Sequence, residues 1–70
     1  SSTSYAWLKK NLRVQRSILL MKDGYLDEHT IDALSNDVGY ASRTSLYKVF
    51  LEIEGCSLPA FRKSLSLDSD

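Results

Sequence analysis

Apolar positions recur at helical spacing almost from the start of the chain. Between Ser4 and Met21 there is neither Gly nor Pro, and Leu8, Leu12 and Leu19, with Trp7, Val14, Ile18 and Met21 alongside, fit a period of 3.6 residues. This predicts one long helix that turns those side chains, and Tyr5 with them, toward a core. The run Lys22-Asp23-Gly24-Tyr25 carries an Asp-Gly turn signal, so the helix should stop there and a connector should lead to His29. A second helix is expected from Thr30, whose hydroxyl can cap free N–H groups. Asp32 suits its positive end, and Ile31, Leu34 and Val38 mark its apolar face. Gly39 should end it, because glycine takes the left-handed conformation past a helix terminus without strain.

The third helix is the best specified. Ser42 is a natural N-cap, Leu46, Val49, Phe50 and Ile53 fall at i, i+3, i+4 and i+7, and Gly55 is the stop. At about 100° per residue, Thr44, Tyr47, Lys48 and Leu51 then point away from that stripe, with Arg43 flanking them in the first turn. A last short helix is expected from Ser57. It accepts Pro59 in its first turn, where a missing N–H costs little, and offers Phe61 and Leu65 to the core. Residues 66–70 and Ser1 to Thr3 are expected to be frayed ends, the former a disordered tail.

Composition places these helices in an ordinary folded domain, with 43% hydrophobic and 26% charged residues. The longest apolar run, Ile18 to Met21, is far short of the roughly 20 residues a membrane span needs, so no membrane contact is expected from this segment. A single cysteine, Cys56, and a single histidine, His29, are too few for a metal site or an intrachain disulfide, and they favour a cytoplasmic setting. His29 stands alone in an acidic connector without an orienting partner, and no phosphate-cradling Gly loop or carboxylate dyad is present. No catalytic residue, cofactor or metal is therefore expected.

The net charge of zero conceals a sorting of charge along the chain. Residues 1–22 carry Lys9, Lys10, Arg13, Arg16 and Lys22 with no acid, and residues 23–42 carry Asp23, Asp27, Glu28, Asp32 and Asp37 with no base. From residue 43 to 63 the balance turns positive again, with Arg43, Lys48, Arg62 and Lys63 against Glu52 and Glu54. Solvated helix faces account for most such runs, but a basic face also favours phosphate. A short helix, a tight Gly turn and a second helix with a polar, basic outer face is the arrangement that places a helix in the DNA major groove. Arg43 suits bidentate contact with guanine, Thr44 can serve several bases, and Lys48 can reach a base or a phosphate. Ser35, four residues before Gly39, is small where a crossing helix must come close.

The stretch from Thr30 to Phe50, Thr-Ile-Asp-Ala-Leu-Ser-Asn-Asp-Val-Gly-Tyr-Ala-Ser-Arg-Thr-Ser-Leu-Tyr-Lys-Val-Phe, followed by Gly55, Ser57, Phe61 and Arg62, resembles the second helix-turn-helix of the AraC/XylS family of bacterial transcription regulators. Arg13, Ser17 and Leu20 similarly look like the helix that links the family's two helix-turn-helix units. The resemblance covers about residues 12–63 and implies an all-α, homeodomain-like helix-turn-helix fold. Residues 1–22 would be the linker helix at the end of the first subdomain, and residues 23–65 the second subdomain, a three-helix bundle. It implies sequence-specific binding of double-stranded DNA, with base contacts from Arg43, Thr44, Tyr47 and Lys48 and phosphate contacts from Ser42 and Ser45. RNA polymerase as a further partner, and dimerisation through a domain outside these residues, follow from the same resemblance. The pattern departs where Leu51 and Glu52 follow Phe50, since the family usually has a basic residue there. Pro59 is displaced by Leu58, and Ser35 replaces an alanine. The family's first helix-turn-helix would lie upstream of Arg13, so this stretch alone is expected to bind DNA weakly, near the nonspecific range of about 10⁻⁴ to 10⁻⁶ M. The competing expectation is a helical protein-interaction module that docks through the Leu51 face.

Overall fold

The computed structural model describes residues 4–68, and these form five helices. The all-α architecture expected from periodicity is the one observed. Helix α1 spans Tyr5–Lys22, α2 Tyr25–Glu28, α3 Ile31–Asp37, α4 Arg43–Glu54 and α5 Leu58–Asp68. The connector expected between Gly24 and His29 is itself helical for one turn, α2, entered through Gly24 and closed by a bond from the His29 N–H to the Tyr25 carbonyl. α5 continues through Ser66 and Leu67 to Asp68, three residues past the end expected from Leu65. Ser1 to Thr3 and residues 69–70, expected to be frayed, lie outside the described residues.

The local stops and starts follow from side-chain chemistry. Ser4, Thr30, Ser42 and Ser57 each accept a bond from a backbone N–H three residues on, as N-caps do. α3 ends in a paired turn: the Gly39 N–H bonds the Asn36 carbonyl at 3.1 Å and the Tyr40 N–H bonds the Ser35 carbonyl at 2.8 Å. This is the Schellman geometry, and it requires the positive φ of 106° found at Gly39. Glycine answers a second demand there. A Cβ on Gly39 would lie 3.2 Å from Arg13 Nε, because the Arg13 guanidinium rests over the Tyr40 ring, 5.0 Å from its centroid. The turn between α3 and α4 is thus held by a side chain from α1.

The core is built from Val14, Ile18 and Met21 of α1, Leu34 and Val38 at α3, Leu46, Val49 and Phe50 of α4, and Leu58 of α5. α4 is the central element and packs on α1, α3 and α5. The Phe50 ring meets that of Phe61 edge-on at 5.6 Å. Ser17 and Ser35 are fully buried, and each closes its hydroxyl on a carbonyl of its own helix, Val14 and Ile31 respectively. The small residue at position 35 therefore occupies the core without an unpaired polar atom.

Part of the α1 expectation is corrected. Leu8, Leu12 and Leu19, with Tyr5 and Trp7, were expected at the core and are exposed. Taking Leu8 as the origin and about 100° per residue, Leu12, Leu19 and Tyr5 fall within about 60° of it, whereas Val14, Ile18 and Met21 fall between about 220° and 280°. One helix cannot turn both stripes to one bundle. Trp7 lies on the same side as Val14 and Ile18, but it stands two turns before Val14, the first buried residue of α1.

Candidate nucleic-acid interface

Of the residues that the sequence singles out on α4, Thr44 and Lys48 lie opposite the buried stripe, and Arg43 lies about 20° from Phe50 around the helix, in the first turn. Arg43, Thr44, Ser45, Lys48 and Leu51 are exposed, as is the N-cap Ser42. Tyr47 differs from them: it is half-buried and packs against the core. It lies about 60° from Phe50 around the helix, on the shoulder of the apolar stripe rather than opposite it. Its ring borders a cleft of about 260 Å³ shared with Ile31 and with Leu58, Pro59, Arg62 and Lys63 of α5.

At the helix start, Ser42 Oγ accepts a bond from the Ser45 N–H at 3.4 Å. The hydroxyl hydrogen of Ser42 remains available to donate outward, since one serine oxygen can accept and donate at once. Arg43 and Lys48 take part in no ion pair among the described residues, where the salt bridge joins Lys10 to Glu52 at 3.4 Å. The acids of α4 lie toward its other end and are tied to α1. Glu52 meets Lys10, and Glu54 accepts a bond from the Gln15 amide at 2.8 Å. Glu52 is thus engaged with α1 through an exposed ion pair. The first two turns of α4 keep two cations, two exposed hydroxyls and a positive helix end with no acid between them.

Two further cations adjoin this face. Arg62 and Lys63 line the cleft beside Tyr47 and extend the basic surface from α4 onto α5. The signal was present in the sequence: with Phe61 and Leu65 turned inward, positions 62 and 63 must face out. The acids Asp27, Glu28, Asp32 and Asp37 are exposed on α2 and α3. Partial burial raises the pKa of Tyr25 above the ordinary phenol value, and the negative charge of the Asp37 carboxylate adds to the effect.

His29 is exposed, with its ring 4.3 Å from that of Tyr25, and Cys56 is exposed after the turn at Gly55. Among the described residues no three His, Cys, Asp or Glu side chains are grouped to hold a metal ion, and no helix is long and apolar enough to cross a membrane. Comparisons with protein-family models, with curated proteins and with solved structures give no match.

Proposed function

We propose that this chain is the DNA-reading unit of an AraC-type transcription regulator, with α4 entering the major groove of double-stranded DNA and no catalytic activity of its own. The observation that carries the proposal is the outer side of the first two turns of α4. Arg43, Thr44 and Lys48 stand exposed there and free of the ion pair, while Glu52 and Glu54 are drawn off toward α1. A helix N-terminus bearing Arg, Thr and Lys suits the major groove: Arg43 presents the fork that matches guanine O6 and N7, and Thr44 can meet either hydrogen-bonding pattern. Ser42 and Ser45 sit where a phosphate would pass, and Lys48 reaches a base or the backbone. Tyr47 contributes from the flank, with its ring partly committed to packing against α5. The order of residues from Thr30 to Arg62 supports the homeodomain-like helix-turn-helix and its placement within the AraC/XylS pattern.

The exposure of Leu51 in the middle of the same face favours a second reading, a protein partner docked on α4. Salt separates the two. DNA binding releases counterions, so log K should fall linearly with log salt by about 0.9 per phosphate neutralised, whereas an apolar contact at Leu51 responds weakly. Fluorescence anisotropy of labelled duplexes drawn from a random library supplies the test. Arg43→Ala should cost about 1–3 kcal/mol and relax preference at one base pair, and Lys48→Ala, where it meets phosphate, should lower the salt slope by about one unit. Duplex affinity that is independent of salt and of both substitutions would refute the proposal and leave the Leu51 contact.

A further inference from the structure

An α-helix with its side chains is about 10–12 Å across and the major groove of B-DNA about 12 Å wide, so a helix lying in the groove fills it. The two sugar-phosphate strands then run along the shoulders of the helix, and whatever packs at a shoulder faces phosphate. At about 100° per residue, Tyr47 lies about 100° to one side of Lys48 around α4, and Glu52 about 40° to the other. The neighbour at the Tyr47 shoulder is α5, across the cleft, and the neighbour at Glu52 is α1, through the Lys10 ion pair. α5 turns a charged face to its shoulder. Pro59, Arg62, Lys63 and Ser66 fall at i, i+3, i+4 and i+7 and line the cleft of about 260 Å³ beside the Tyr47 ring.

That face has a fixed orientation relative to α4, because Leu58 is fully buried and the Phe61 ring meets Phe50. Arg62 and Lys63 are exposed, and the ion pair among the described residues lies elsewhere, between Lys10 and Glu52. Asp27 shares a neighbouring cleft with Arg62 and forms no ion pair with it. Two cations are thus held side by side where a strand would pass, while the opposite shoulder presents a carboxylate. We propose that Arg62 and Lys63 hold phosphates of the DNA strand that runs past the Tyr47 shoulder while α4 occupies the groove. This rests on the reading of α4 as a groove-entering helix and adds a second helix to the interface. Arg62 offers a planar fork that suits two phosphate oxygens, and Lys63 a point charge. Their contribution differs in kind from that of Arg43, because phosphate contacts fix position and carry no sequence information.

The test follows the anisotropy of a labelled random-sequence duplex with the intact 70-residue chain over a range of salt concentrations. Each phosphate neutralised contributes about 0.9 to the slope of log K against log salt, so Arg62→Gln/Lys63→Gln should flatten it by about 1.8. Base preference in library selection should stay as in the parent, unlike that of Arg43→Ala, and Arg62→Lys should keep the parent slope. Lys9→Gln/Arg16→Gln removes the same charge from exposed positions at least about 140° around α1 from Val14, Ile18 and Met21, and should leave the slope unchanged. Neither double variant touches a core side chain, so circular dichroism spectra and thermal midpoints should match the parent. A parent chain without salt-dependent duplex binding refutes the groove reading, and the strand contact with it. Salt-dependent binding whose slope is the same in the α5 variant, or falls equally in the α1 variant, overturns the strand contact alone. So does a labelled oligoglutamate peptide whose binding needs Arg62 and Lys63 when duplex binding does not, since the pair then serves an acidic protein segment.

Discussion

Alanine at Gly39 meets two physical costs that alanine at Gly55 separates. Both glycines have positive φ, 106° and 80°, so both substitutions strain the backbone. An L-residue in left-handed conformation costs roughly 1–2 kcal/mol, and the stiffer unfolded chain returns about 0.4–1 kcal/mol of it. Around Gly55 there is open space, with nothing within 4 Å of the added carbon, so Gly55→Ala should lower stability by about 1 kcal/mol or less. At Gly39 the new carbon lies 3.2 Å from Arg13 Nε and 3.4 Å from Cζ, and the guanidinium must give by a few tenths of an ångström where it rests over the Tyr40 ring. Such stacking is worth about 0.5–1 kcal/mol at a partly exposed site, which sets the ceiling on the excess and brings Gly39→Ala to at most about 2 kcal/mol. Against the roughly 3.5–10 kcal/mol expected for a chain of this size, that is readily measured. Urea denaturation followed by far-ultraviolet circular dichroism should show lower midpoints at an unchanged slope. Repeating both substitutions in an Arg13→Ala background should erase the excess at position 39. Equal costs at the two glycines, or an excess that persists without Arg13, would refute the idea that α1 holds the turn.

Other consequences are open to direct measurement. Ser42→Ala removes the α4 cap and should cost about 1 kcal/mol, read as a fall in thermal midpoint of about 4–8 °C. Leu12→Ser should leave stability within about 0.5 kcal/mol of the parent, whereas Val14→Ala, two residues on but fully buried, should cost about 2 kcal/mol in the same urea experiment. Because the Tyr25 pKa is raised on folding, its contribution to stability is complete below the unfolded value near 10 and is lost as pH rises through the higher folded value. Alkaline denaturation should therefore begin at higher pH in Tyr25→Phe than in the parent, and superimposable pH profiles would contradict a raised Tyr25 pKa.

How much of this was legible in the sequence depended on whether a signal was local. The caps Thr30, Ser42 and Ser57 and the stops Gly39 and Gly55 act within one turn of chain, and each lies at a helix boundary. The stripe Leu46, Val49, Phe50 and Ile53 was unambiguous because α4 has one apolar face, and that also exposed the opposite positions 44 and 48, while Arg43 is exposed in the first turn, ahead of the first buried residue. α1 carries apolar residues on two faces, and periodicity alone could not say which one meets the bundle. The answer depends on partners far along the chain, Leu46 to Phe50 and Leu34. The half-burial of Tyr47 was not legible for a related reason, since its place on the shoulder of the stripe leaves its exposure to α5. The short α2 has too few residues for any period to register. The fastening of Glu52 and Glu54 to α1 joins residues some forty apart, beyond the reach of any local pattern.

Trp7 sets what an optical experiment on this protein can see. As the single tryptophan, 44% exposed and two turns ahead of the first buried residue of α1, it already meets water in the native state. Melting the bundle changes its surroundings little, so its emission should shift only slightly between folded and denatured chains. The same indole would respond strongly to anything that settled over the first two turns of α1, which makes it an inherent reporter of occupancy rather than of folding.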